Sequence, residues 1–339
     1  MRGAVLSVRH LLDRRAAVVA GAATLALLAA AASPQLLGGR VSEALERIGG
    51  INPAWVWLAA LGFVLSIVGA AGSWRSALSL CGARLSLGDS CARYGAGSLV
   101  NSFTPARLGD AVRIGLFSRA LDGPDRVWST GGAFAAIGAA RVLVLTVLVG
   151  IAGAMGTLPL WWLGVFGGIL AVAALTVVFS RRVRSHGHVV HLLDAFRGLS
   201  REPLRGLRIA GWIGFATLGR LAAAAAIAAS MGVSHPVAAA LIIIPALDVA
   251  GQLPLTPGNV GLVSGAVAMA LRAHHVPMTL ALSTGIAFHA VETLVGILFG
   301  TGAVLALARP SRFWIVAAAG AAGCLALVGL GATVLAGIV

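Results

Sequence analysis

This chain has no lysine, a single tyrosine, and charged residues at only 11% of its 339 positions. A water-soluble domain usually carries roughly twice that charged fraction. A surface so poor in charge excludes a free-standing soluble globule and makes lipid the solvent for much of the chain. No long polar stretch is left over for a separate soluble domain. Its three cysteines, Cys81, Cys91 and Cys324, form no Cys-x-x-Cys pair and read as small apolar fillers rather than redox or zinc ligands. A P-loop is missing, and so is any Ser/His/Asp or Cys/His arrangement placed for nucleophilic catalysis. Neither ATP-driven transport by this chain alone nor enzyme chemistry is therefore expected, and no metal or cofactor is implied.

What the chain does have is apolar runs and arginine. Hydrophobic residues fill 59% of positions, and all 25 basic residues are Arg, for a net charge of +14. Strong basicity can mark nucleic-acid binding. Here the arginines sit in short loops between apolar runs, where anionic lipid headgroups are their neighbours, so nucleic acid is not an expected partner. A helix needs about 20 apolar residues to cross a bilayer. About seven runs meet that need: 16–32, 55–80, 129–156, 160–180, 209–231, 279–308 and 313–339. The first, with basic residues ahead of it, also fits a signal peptide. If the seven alternate, the Arg-rich segments 1–15, 74–93, 107–126, 181–208 and 309–312 all fall on one side, while the opposite loops are poor in charge. The positive-inside rule then puts the N-terminus in the cytoplasm and the C-terminus outside, in a multi-pass protein of the cytoplasmic membrane.

Two segments do not fit a simple bundle. Residues 94–121 and 238–271 each hold two apolar arms of about 10–14 residues, too short to cross, interrupted by Pro and Gly. Such pairs read as re-entrant hairpins, since irregular backbone at membrane depth is tolerated only inside protein or beside a polar cavity. Their breaks match: Thr104-Pro105-Ala106-Arg107-Leu108-Gly109 aligns with Thr256-Pro257-Gly258-Asn259-Val260-Gly261. Each break precedes a long run with a central charge. Arg141 follows Gly109 by 32 residues and Glu292 follows Gly261 by 31. The chain thus reads as one all-α membrane domain, 1–339, built from two repeats (55–180 and 209–339) of opposite topology joined by the Arg-rich inner loop 181–208. Inverted repeats with broken helices are a transporter signature; two hairpins that merely plug the bundle are the plain alternative.

Thr at an N-cap followed by Pro at N1 starts a helix, so helices are expected near Pro105 and Pro257. Their unpaired first-turn N–H groups and positive dipole ends favour an anion. Arg107 would add a full charge, and Asn259 a donor. The plain alternative is capping by solvent or protein. Arg141 and Glu292 are each costly alone in hydrocarbon, and pairing with one another is the simplest relief. Arg220 and Asp248 form a second candidate pair. Asp110 and Arg113 suit an i,i+3 pair on a helix surface. Gly285, His289, Glu292 and Gly296 share one helical face, lining either a cavity or a close helix contact. Gly296/Gly300 and Gly164/Gly168 are small-xxx-small pairs. His289-x-x-Glu292 is half of a metal site without a second half. His186, His188 and His191 read as a solvated loop patch.

The pattern Asn101-x-x-x-Pro105-x-Arg107-x-Gly109-Asp110-x-x-Arg113 resembles the N-x-x-x-P-x-R-x-G-[ED]-x-x-R segment of the flippase-like family, the membrane region of lysylphosphatidylglycerol synthases and their stand-alone relatives. Pro257-Gly258-x-x-Gly261 is similar to that family's second, Pro-Gly-Gly-x-Gly-x-x-Glu segment, although Asn259 replaces its second Gly, Ser264 its Glu, and Ala140 an acidic residue often found before Arg141. The resemblance covers residues 10–335. It implies a translocator of phospholipids or polyprenyl-phosphate glycolipids rather than an aminoacyl-lipid synthase. On that reading the headgroup meets Asn101, Thr104, Arg107, Asp110, Arg113, Thr256, Gly258 and Asn259, and passes Arg141, Arg220, Asp248, His289 and Glu292. The rival is an accessory or scaffold protein for a glycosyltransferase or lipid-modifying enzyme, with a dry centre. A homo-oligomer or a partner enzyme is compatible with either.

Overall fold

The computed structural model describes residues 52–103, 108–157, 202–250 and 260–308, with scattered positions between 164 and 175. The apolar runs at 16–32 and 313–339, most of 160–180, the loop 181–201 with its histidines, and Cys324 lie outside the described residues. The described part is all helical, with no strand. Its eight helices are α1 (Pro53–Leu80), α2 (Leu87–Phe103), α3 (Leu108–Ser118), α4 (Arg126–Ala154), α5 (Pro203–Ser230), α6 (Pro236–Ala250), α7 (Val260–Arg272) and α8 (Met278–Ala308). Four of them, α1, α4, α5 and α8, are long and apolar enough to cross a membrane. They correspond to the second, third, fifth and sixth expected runs.

Local chemistry sets several starts earlier than hydropathy does. At α1, Asn52 Oδ1 accepts from the Ala54 N–H at 2.9 Å and Pro53 occupies the first turn, the pairing favoured at helix starts. Helix α5 begins at Pro203 rather than at Ile209. The largest departure is α2, which begins at Leu87 and runs 17 residues, well beyond the short arm expected from Tyr94. Ser86 explains it: its hydroxyl accepts from the Asp89 N–H at 3.0 Å and donates to Asp89 Oδ2 at 2.7 Å. This is a capping arrangement that apolar run-length does not detect.

The bundle is organised around a crossing of α1 and α5. A Cβ on Gly62 would lie 2.6 Å from the carbonyl oxygen of Gly219, and one on Gly219 would lie 2.6 Å from that of Gly62. Gly69 meets Ala216, Gly72 meets Trp212, and Arg205 donates to the Ser79 carbonyl at 3.3 Å. Ascending positions on α1 thus meet descending positions on α5, so the two helices are antiparallel. Helices α2 and α8 also run antiparallel: Gly95 faces Ala303, Leu99 faces Gly300, and Ser102 faces Gly296. Exchanging α1–α4 with α5–α8 maps each principal helix–helix contact onto another: α1·α2 onto α5·α6, α2·α8 onto α4·α6, α3·α4 onto α7·α8, and α1·α8 onto α4·α5.

Within the first half, α2 and α3 form a helical hairpin. Arg93 donates to the Leu116 carbonyl, and Gly97 and Gly109 approach backbone to backbone. Phe117, fully buried at the end of α3, stacks on Trp74 of α1 with centroids 4.5 Å apart. This fixes the open end of the hairpin beside the C-terminal part of α1. Phe288 of α8, also fully buried, meets Phe63 of α1 edge-on at 5.1 Å. Around these anchors the core is mostly Ala, Ile, Leu and Val, while large apolar side chains such as Leu61, Val147, Leu218 and Leu305 face outward, as expected of surfaces that meet lipid.

Candidate functional site

A cavity of about 380 Å³ lies between the described helices, and all eight contribute to its wall. Of the residues expected from sequence, Asn101, Asp110, Arg113, Arg141, Arg220, Asp248, His289 and Glu292 line it together. They come from α2, α3, α4, α5, α6 and α8, so no stretch of sequence contains the site. Thr104, Arg107, Thr256, Gly258 and Asn259 lie outside the described residues, as do the helix starts expected at Pro105 and Pro257.

Each polar side chain has a distinct state. Asn101, near the end of α2, places its Oδ1 2.7 Å from the Gly109 N–H in the first turn of α3. One of the amide hydrogens expected to await an anion is therefore already taken, and Asn101 joins the arms of the hairpin. Arg113 is similarly committed. It bonds to Asp110, donates to Ser98 Oγ at 2.7 Å and to the Tyr94 carbonyl at 3.4 Å, and its guanidinium lies 4.0 Å from the Tyr94 ring centroid. The Asp110–Arg113 pair does form at i,i+3, but with side chains only 20% and 12% exposed. It is a staple between α2 and α3 in the cavity wall, not a pair on a free helix surface.

The second charged group corrects one expectation. Arg141 and Glu292 share the cavity, but they are not an ion pair. Arg220 on α5 binds Asp248 on α6 at 2.6 Å, as the sequence suggested, and its other terminal nitrogen lies 3.9 Å from Glu292. Arg220 lies on α5, which contacts both α6 and α8, so it takes both carboxylates. Arg141 makes no ion pair among the described residues. It is exposed on the cavity side of α4, a cation without an ion-pair partner among the described residues.

The stripe on α8 divides its labour. Gly285 packs against the backbone of Ser264, and Gly300 against Gly95 and Leu99, so these glycines serve close helix contact. His289 and Glu292 face the cavity. His289 is 9% exposed; its Nε2 lies 3.3 Å from the Thr293 hydroxyl, and its Nδ1 is buried with no hydrogen-bond partner among the described residues. Gly164 and Gly168 meet no described neighbour within 4 Å, so that small-residue pair makes no contact among them.

Sequence reasoning missed the hydroxyl lining. Ser66, Ser73, Tyr94, Ser98, Ser102, Thr217 and Thr293 all reach the cavity. Four of them spend their hydrogen on their own helix: Ser73 on the Ala70 carbonyl, Ser98 on Tyr94, Ser102 on Ser98 and Thr217 on Ile213. Their oxygens remain as acceptors, that of Ser98 being already used by Arg113. The four-residue spacing of Tyr94, Ser98 and Ser102 was the readable signal, reinforced by Tyr94 being the sole tyrosine. No group of three His, Cys, Asp or Glu suited to a metal ion occurs among the described residues.

These features define a multi-pass helical membrane protein with a charged, hydroxyl-lined cavity inside an apolar bundle. From residue 16 to residue 300 its sequence matches the family of the lysylphosphatidylglycerol synthase TM region. The chain belongs to that family, as its hairpin motif suggested. No curated protein matches it.

Proposed function

We propose that this protein accepts the phosphate-bearing headgroup of a phospholipid or polyprenyl-phosphate glycolipid in its central cavity and carries it between the leaflets of the cytoplasmic membrane, the tails remaining in lipid. One observation carries the reading: Arg141, a cation without a protein counter-ion among the described residues, opens on a polar cavity at the centre of a bundle whose outer face is apolar. Charges held at membrane depth are costly and mark substrate or ion paths. A scaffold would be better served by a dry, Leu/Ala-filled centre.

The path has two gates in this reading. The α2–α3 and α6–α7 hairpins are re-entrant and enter from opposite faces, in two repeats of inverted topology, with the N-terminus inside and the C-terminus outside. Support comes from the antiparallel crossing of α1 and α5, the short connections from each into its hairpin, and the exchange symmetry of the helix contacts. Rocking one repeat against the other about a fixed central site gives alternating access. Arg107, beside the tip of the first hairpin in sequence, and the Thr256–Asn259 segment at the second would receive and release the phosphate. The chain acts as a translocator and not as an enzyme.

The test is headgroup translocation in reconstituted vesicles, read as protection of a fluorescent phosphatidylglycerol from a membrane-impermeant quencher. Arg141→Ala, and separately Arg107→Ala, should abolish translocation while expression and thermal stability stay normal. Full activity in both variants would refute the reading.

A further inference from the structure

Glu292 is the least committed carboxylate in the cavity. Asp110 is held by Arg113, and Asp248 holds Arg220 at 2.6 Å. Glu292 is left 3.9 Å from the same guanidinium, accepts no hydrogen bond among the described residues, and has a side chain 35% exposed. One turn earlier on α8, His289 buries an Nδ1 that has no partner among the described residues. Around Glu292, α5 presents Arg220, α6 Asp248, α4 Arg141, α3 Asp110 and Arg113, α2 Tyr94, and α8 itself His289. The lining residues of α1 and α7 carry no charge. With His289 neutral, the three arginines and three carboxylates of this described wall cancel.

An anion cannot enter such a site freely. A phosphate drawn to Arg141 would share a cavity of about 380 Å³ with the carboxylate of Glu292, which only the 3.9 Å contact with Arg220 offsets. Like charges at close range disfavour both being ionised, and the cost grows as water is excluded. A proton from the aqueous phase removes the conflict: it binds the Glu292 carboxylate, cancels one negative charge, and turns a repelling acceptor into a hydrogen-bond donor towards the phosphate oxygen. We infer that the anionic headgroup and one proton bind together, with the Glu292 carboxylate as the proton site, so that lipid movement is linked to the proton gradient. This rests on the functional reading above and adds the coupling ion to it.

The experiment measures protons taken up with the headgroup. Dioctanoyl phosphatidylglycerol and a short polyprenyl phosphate are titrated calorimetrically into the full chain in micelles, in buffers of different ionisation enthalpy and across a pH series. For the wild type, about one proton is taken up per lipid bound, and affinity falls about tenfold per pH unit on the alkaline limb. Glu292→Gln removes the repelling charge, so it binds with no proton uptake and a flat pH profile. Glu292→Ala, checked by size-exclusion profile, does the same if glutamine perturbs packing. Wild-type binding without proton uptake overturns this inference and leaves the functional reading standing. So does a proton count that persists in both variants. If neither probe binds, the functional reading falls, and the proton site with it.

Discussion

Removing the carboxylate of Asp248 should strip the cavity of its strongest internal lock. Arg220 and Asp248 are 15% and 11% exposed and lie 2.6 Å apart, whereas Glu292 is 3.9 Å from the same arginine. At an effective dielectric near 20 those separations correspond to gross attractions of about 6 and about 4 kcal/mol, before desolvation offsets most of each. Breaking one side of a buried pair typically costs about 3–5 kcal/mol, because a buried charge is left behind. Glu292 remains within reach of Arg220, so the lower end, about 3 kcal/mol, is expected for Asp248→Asn. On the scale of mid-sized domains that is a fall in melting temperature of about 6–12 °C. Thermal unfolding of the purified protein in detergent measures it. The double variant Arg220→Met, Asp248→Leu removes both charges and should recover most of the loss, giving a favourable coupling energy in the double-mutant cycle. If Asp248→Asn melts within about 1 °C of wild type, the pair is not a structural lock and the reasoning fails. The same holds if the double variant is as unstable as the sum of the single ones.

Three further outcomes follow from the geometry. Asn101→Ala removes the acceptor for the Gly109 N–H, so α3 loses its cap at a cost of about 1 kcal/mol, and hydrogen exchange should quicken at Gly109 and Asp110 while α4 and α5 stay protected. Gly219→Val places a Cβ 2.6 Å from the Gly62 carbonyl oxygen; backbone cannot yield there, so α1 and α5 must part, lowering stability by about 1–3 kcal/mol or more, read as a lower melting temperature and loss of the monodisperse peak. Tyr94→Leu removes the ring beneath the Arg113 guanidinium and should cost about 1 kcal/mol in unfolding assays, whereas Tyr94→Phe retains the face and should cost much less.

Much of this arrangement was readable in the chain. The four long helices follow from run-length alone, because a bilayer sets a minimum number of apolar residues whatever the fold. The expected hairpin 94–121 does hold two helices, α2 ending at Phe103 and α3 beginning at Leu108, and the Arg220–Asp248 pair was foreseeable because two opposite charges at membrane depth have few partners. Helix starts were less legible. Ser86 and Asp89 extend α2 through a side-chain cap that hydropathy does not register, and α5 starts at Pro203, ahead of its apolar run, with proline in the first turn and no side-chain cap. The Arg141–Glu292 pairing failed for a different reason. A matching sequence offset suggested that the two residues are partners, but it says nothing of which third charge lies between helices.

The amino-acid sequence by itself determined the solvent, the helical class, the family, and the identity of the charged residues that are costly at membrane depth. Those are local or compositional properties: apolar length, the absence of lysine, proline and glycine at the breaks, charges in hydrocarbon. Tertiary structure alone decided how the charges were shared. The α1–α5 crossing at Gly62 and Gly219 sets which helices come close enough to pair. That proximity gives Arg220 to Asp248 and loosely to Glu292, ties Arg113 to its own hairpin, and leaves Arg141 facing the cavity. Partner choice at a few ångströms depends on the relative placement of helices far apart in sequence, and no periodicity within a single helix encodes it.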